Sequence, residues 1–436
     1  VTRLFVQDEQ ARQLKWADLQ DGETPQFGKF QQVSGFPQLD PERQSLVQME
    51  VSHGLLLVGV RDEEGGSFQS GWVLIDTGVE EEEHGDHSHW YYVREPRVRA
   101  VQLNDQQGNP AHLYLYQGVF YLANDQKDGY TRLDPAAIRP DHTEEQIRQL
   151  AGFHAGGGGH ITLAVSESGY GYATWIDRAG ENSGRVDVTA IRPEGNTEIT
   201  STFFLPYGGV HGATYCEGKI FLAPTDGIYW VPATGPVSAE FSQTEIRHVS
   251  LGSFNDKPRR AGSFTTLGRT VLFTSGGGTD AALYLLDASA PEPKPWRVDL
   301  PMHEENRPAG LEVVRPRKGG PLAFVFHDHA ADADAPNLLT VIELDPNGDG
   351  SFADAKVSDS LEVGPSLVEG HSGHHSITFE PTGRWGVLTN PGDGTAVLLS
   401  LADRKIVSKV QLGGVPAKVI AVGGGGRAGA RQSQAR

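Results

Sequence analysis

Short runs of apolar, β-branched and aromatic residues recur along the chain, each bounded by Gly, Pro, Asn, Asp or Ser. Runs of this length between turn signals predict strands rather than helices. They fall into groups of three. SLVQMEV, LLLVGV and GWVLID begin at Ser45, and HLYLY, VFYLAND and YTRLD at His112. HITLAV, YGYATWID and RVDVTAI begin at His160; HGATYC, KIFLAP and GIYWVP begin at His211. Further groups start at Ser263, Leu311 and Ser376, and weaker fourth runs such as VRAVQL, IRHVSLG, WRVDL and VSKVQL follow. Only Thr143–Leu150 predicts a helix, of one or two turns, with Thr143 as the cap and Glu145 or Gln146 closing a capping box.

The groups repeat at about 55 residues, the scale of a propeller blade. The fold class is therefore all-β, a β-propeller of about eight four-stranded blades. A count of seven follows if one unit is misread, and a stacked β-solenoid is the structural alternative. RLFVQD and RQLKWADL at the amino end lack a first strand, whereas PAKVIAV near the carboxyl end has that pattern and no followers. Joining them closes the ring and removes exposed strand edges. Residues 1–422 read as one propeller domain with an acidic, His-rich loop at 79–93. Residues 423–436 (GGGGRAGARQSQAR) read as a disordered tail.

At 436 residues, length alone suggests two or three domains, but repeats that pack only on their neighbours escape that expectation. The 54 glycines and 26 prolines suit many tight turns. A formal net charge of −19 argues against nucleic acid and anionic membranes as partners and suits a protein that attracts cations. No apolar run approaches the ~20 residues of a membrane span. Cys216 is the single cysteine, so no internal disulfide forms, and it reads as a packed apolar residue.

The repeat gives the histidines positions. His112, His160, His211 and His375 each stand at the start of a first strand, where other blades carry Ser45, Gly262, Gly310 and Ala417. First strands line the central channel, so these imidazoles are expected at its mouth. Imidazole is the common neutral ligand for zinc and copper, and three or four from separate blades suit a tetrahedral zinc site. Structural histidines bonded to loops are the alternative. His154, His371 and His374 lie in neighbouring loops. His327, Asp328 and His329 end a second strand expected to reach the same face, where a carboxylate could be a fourth ligand or support one.

The segment VEEEEHGDHSHWYY from Val79 places His84, Asp86, His87 and His89 behind Glu80–Glu83. Short His-rich tracts bind metal through spacing, and this one follows a third strand, hence the face opposite the channel-mouth histidines. A solvated acidic insertion is the alternative. Asp345, Asn347, Asp349 and Gly350 begin like a calcium loop, but the twelfth position is Lys356 where an EF-hand needs Glu. The glycines at 156–159 do not stand between a strand and a helix, as a phosphate cradle requires. No G-x-S-x-G elbow or C-x-x-C pair occurs.

In IDTGVEEEEHGDHSHW, in GVHGATYCEGKIFLAPTDGIYWV and in the closing unit from Gly370, the chain resembles the periplasmic zinc metallochaperones called AztD. The resemblance implies zinc as the bound ion and a periplasmic location with a signal peptide removed, consistent with a sequence that starts at Val1. It further implies a non-enzymatic role: delivering zinc to the solute-binding protein of a zinc ABC transporter. It carries an accessory-site role onto His84, Asp86, His87 and His89, and a propeller-site role onto His211. His160, His375 and His112 join that site from the repeat. A metal-dependent propeller hydrolase of the lactonase type and an interaction scaffold with structural histidines are the competing readings.

Overall fold

In the computed structural model, residues 1–85, 88–238 and 245–424 are described. They form eight four-stranded antiparallel blades around a ring. Asp86 and His87 of the predicted loop, and the predicted tail from residue 425 onward, lie outside the described residues.

The apolar runs form strands because each blade is covered on both faces by its neighbours. In blade 2, Leu56, Val58 and Val60 pack toward blade 1 with Phe5 and Leu14, whereas Leu55 and Leu57 pack toward blade 3 with Leu113, Phe120 and Leu122. Alternate side chains of one strand thus serve two interfaces. The last interface, where Leu4 and Val6 of blade 1 meet Val387 and Leu398 of blade 8, completes the ring.

Closure is the expected one. Pro416–Val422 pairs antiparallel with Thr2–Asp8, with Phe5 opposite Ile420, and supplies the innermost strand of blade 1. The predicted fourth strands are present as Arg97–Asn104, Arg247–Val249, Trp296–Asp299 and Lys405–Gln411. The helix is Glu144–Gln149, capped by Thr143, whose hydroxyl accepts from the Gln146 amide while the Gln146 side chain accepts from the Thr143 amide.

Blades 3, 4 and 5 carry the site. Their innermost strands are Pro110–Tyr116, Leu163–Val165 and Ala213–Cys216. Blade 3 differs from the sequence expectation: its first strand begins at Pro110, so His112 lies inside it, beside a register shift between Pro110 and His112. In blade 4 the strand starts only at Leu163, because residues 158–160 turn, with the His160 amide donating to the Gly158 carbonyl at 2.9 Å. Strand direction alternates within a blade. First strands therefore start, and second strands end, on one face, called upper here; third strands end on the lower face.

Candidate metal centre

His112, His160 and His211 come from three successive blades, and one nitrogen from each lies within 4.8 Å of the others. His160 Nε2 and His211 Nε2 are 3.1 Å apart, and the His112 and His160 ring centroids are 4.5 Å apart. The opposite nitrogens are all engaged. His112 Nδ1 meets the Ile161 carbonyl at 2.9 Å, His211 Nδ1 meets the Gly262 carbonyl at 2.8 Å, and His160 Nδ1 meets Asp125 Oδ2 at 3.0 Å. Carbonyl and carboxylate oxygens only accept, so each Nδ1 carries a proton, and a neutral ring in this tautomer has its lone pair on Nε2.

Two lone pairs facing across 3.1 Å repel unless a cation lies between them. A proton can serve, but on His211 and His112 burial and the neighbouring histidines oppose it. Burial, then the charge of neighbouring His160, lowers the pKa of His112 to about 4, and burial likewise lowers that of His211. A zinc–nitrogen bond of about 2.0–2.1 Å at tetrahedral angles separates ligand nitrogens by about 3.3 Å. The donor type, the tautomers and the spacing all fit a divalent metal bound by three imidazoles with a fourth position left to another donor.

Asp125 is the anchor of this arrangement. It opens the short 3-10 turn Asp125–Lys127 after the second strand of blade 3, and only 3% of it is exposed. Oδ1 accepts from the Ile161 amide at 3.0 Å while Oδ2 holds His160, and Arg61 Nη1 approaches Oδ2 at 3.5 Å. A carboxylate on the far nitrogen of a ligating imidazole fixes its tautomer and raises its basicity. Sequence reading missed Asp125. The signal was available, because it follows the second strand of its blade as Asp328 ends that of blade 7, which was placed on the upper face.

His375 is not brought to this group. It belongs to blade 8, is 1% exposed and uses both nitrogens, Nδ1 on Asp328 Oδ1 at 2.6 Å and Nε2 on the Gly364 carbonyl at 2.9 Å. Its ring stacks on Phe326 with centroids 4.8 Å apart. His374 Nδ1 takes the other oxygen of Asp328 at 2.8 Å. Burial alone would raise the pKa of Asp328, but the hydrogen bonds from His374 and His375 outweigh it and hold the carboxylate well below its ordinary range. His154 lies in the outermost strand of blade 3, stacked on Tyr130 and bonded to the Arg192 backbone. His327 bonds Thr340, and His329 bonds Asn337.

The fold is that of AztD. The crystal structure of AztD from Citrobacter koseri superposes with a TM-score of 0.65 at 18% identity, covering 98% of this chain and 100% of that one. Its apo form gives 0.64 at 16% identity, with the same coverage of both chains. The dihydro-heme d1 dehydrogenase NirN gives 0.54 at 12% identity, over 96% of this chain and 74% of that one. No protein-family profile matches the chain, and no curated protein is significantly similar to it. At these identities the likeness establishes the architecture.

The acidic, His-rich segment differs from the expected loop in being a paired hairpin. Val79–Glu83 pairs with Ser88–Tyr92, placing Glu82 opposite His89. The His84 and His89 rings meet edge-on at 4.9 Å. The hairpin follows the third strand of blade 2, so it leaves the lower face, opposite the triad. Clefts of about 170 Å³ beside Trp72 and Phe153 and about 290 Å³ beside Trp296 and Phe352 contain none of the three histidines. The Asp345–Gly350 turn directs its side-chain oxygens at its own amides, with Asp345 Oδ1 accepting from the Asp349 amide at 3.0 Å. Among the described residues, no helix is long and apolar enough to cross a membrane.

Proposed function

We propose that this chain is a zinc carrier rather than an enzyme, with zinc as cargo on His112, His160 and His211. The opposed Nε2 atoms of His160 and His211, each with its Nδ1 proton already committed, carry this reading. Three neutral nitrogens give useful affinity while leaving a position through which an acceptor's ligand can enter, as metal transfer needs. The segment's His84, Asp86, His87 and His89 are assigned an accessory metal-capturing role. Fold similarity to AztD supports a periplasmic setting and the solute-binding protein of a zinc ABC transporter as the acceptor.

The test is zinc stoichiometry and affinity on metal-stripped protein, with H160A/H211A beside H84A/H87A/H89A. Tight binding lost in the first variant, followed by transfer from wild type to an acceptor without ester or lactone turnover, is the expected result. Binding weaker than about micromolar, or unchanged in both variants, leaves a scaffold with structural histidines. Metal-dependent turnover makes the chain a hydrolase.

A further inference from the structure

Two arginines converge beside the triad. Arg178 lies in the upper-face loop that follows the second strand of blade 4, Tyr170–Thr174. Arg260 lies in the segment leading to Thr265–Leu267, the first strand of blade 6. Both lean on the Gly208–Gly209 turn that delivers His211. A Cβ on Gly209 would sit 3.1 Å from Arg178 Cγ, and the Gly209 carbonyl accepts from Arg260 Nη2 at 3.4 Å. Two residues beyond Arg260, the Gly262 carbonyl accepts from His211 Nδ1. The guanidiniums are close enough for Arg178 to lower the pKa of half-buried Arg260, behind burial itself, and for Arg260 to disfavour protonation of His211.

Among the described residues, neither arginine has a carboxylate within ion-pair distance, although the chain carries 56 acidic against 37 basic residues. Most other arginines among the described residues are paired: Arg259 with Asp280, Arg185 with Asp187, Arg404 with Glu343 and Asp359. Two like charges held together at a rim where Arg260 is half-buried and Arg178 exposed are disfavoured until an anion joins them. Planar guanidinium forks match a carboxylate in shape and charge. Among the described residues three donors meet at the adjoining metal position, and an oxygen donor is a normal fourth ligand for zinc.

We propose that Arg178 and Arg260 form a receiving rim for a carboxylate supplied from outside the chain, which they orient as the fourth ligand of the metal on the triad. The inference rests on the zinc-carrier reading and names how that site is completed. The donor is an acceptor protein's acidic side chain or a small free carboxylate. For the acceptor, the same pair makes the rim a docking point that selects an acidic residue over a basic one.

The test uses the full-length chain loaded with Co²⁺, whose visible absorption reports ligand number and type. Acetate is titrated at constant ionic strength against chloride, in wild type, in Arg178→Gln/Arg260→Gln and in Arg260→Lys. A second arm replaces acetate with a blocked Gly-Glu-Gly peptide. Wild type is expected to show a saturable spectral change that needs about tenfold more carboxylate in the double variant, with cobalt stoichiometry unchanged. Arg260→Lys is expected to fall between them, since an ammonium keeps the charge and loses the fork. A response to the peptide at least equal to acetate assigns the rim to an acceptor's side chain; a response to acetate alone assigns it to a small anion. Normal cobalt binding with identical titrations in wild type and double variant overturns the rim and leaves the carrier reading standing. Absence of cobalt binding in wild type overturns both.

Discussion

At the scale of the residue, one carboxylate decides how ready the site is. Asp125 spends one oxygen on the Ile161 backbone and the other on His160, so it fixes the ring and the turn that carries it. Asp125→Asn keeps the shape but removes the charge, and its amide nitrogen cannot accept from Nδ1. Zinc affinity, measured by chelator competition, is expected to fall about 10–100-fold, with the melting temperature of the apo protein little changed. An affinity within about threefold of wild type would show that Ile161 and Gly262 alone orient the site. His375→Ala is the reverse case. It is expected to leave zinc affinity unchanged and to cost about 2–4 kcal/mol in denaturant unfolding, because it leaves Asp328 buried with one of its two histidines. The contrast explains how much of the site the sequence could reveal. Periodicity shows that His112, His160, His211 and His375 occupy equivalent places in their blades. It carries no distance around the ring, and only blades 3, 4 and 5 are adjacent. Asp125 and the arginine rim lie off the first-strand position that the histidines share, and Gly262, which holds that position in blade 6, acts through its backbone carbonyl, which no side-chain pattern marks.

At the scale of the element, strand and turn signals were most legible in the middle strands of the blades, such as Ser70–Asp76, Leu322–Asp328 and Thr395–Ser400, which are buried throughout, and weaker in the exposed outermost strands such as Lys405–Gln411. Capping was legible at Thr143 and Gln146 for the equally local reason that both partners lie within one helical turn. The hairpin at 79–92 was not, because Glu80–Glu83 has poor strand propensity and no buried face. It pairs because Val79 and Tyr92 are anchored in the core at its base, where Tyr92 donates to the Val1 carbonyl and the Val93 amide donates to the Gly78 carbonyl. Strand direction places its tip and the triad on opposite faces. Metal bound at one is therefore expected to leave affinity at the other nearly unchanged, as for distant sites without shared partners. In H84A/H87A/H89A, calorimetric titration should lose the weaker class of zinc sites and retain the tighter one within about threefold. Loss of the tight class in that variant would show that the hairpin reaches the triad by a path other than the strand topology implies.

At the scale of the whole molecule, ring closure brings together charges from distant parts of the chain. Glu50 of blade 2, Glu312 of blade 7 and Lys418 of the closing strand sit on innermost strands, and their charges act on one another. Glu312 is open to water along the channel yet walled by strands, and this desolvation raises its pKa to about 7 against the partial relief that Lys418 gives. Burial, then repulsion from Glu312, raises Glu50 to about 7 as well. A carboxyl whose folded-state pKa lies above its unfolded value of 4.5 favours the folded state while protonated. That contribution is complete below about 4.5 and is lost as pH rises through about 7. Glu312→Gln removes one of the two charges and leaves Glu50 to Lys418. The variant is expected to melt with wild type at pH 4.5 and about 1–3 °C above it at pH 8, a difference that opens between those limits. Parallel melting curves from pH 4.5 to 8.5 would mean that channel water solvates both carboxylates as well as bulk water does. A divergence would show that the closed ring holds a stability cost in its channel at neutral pH, set by residues that only closure makes neighbours.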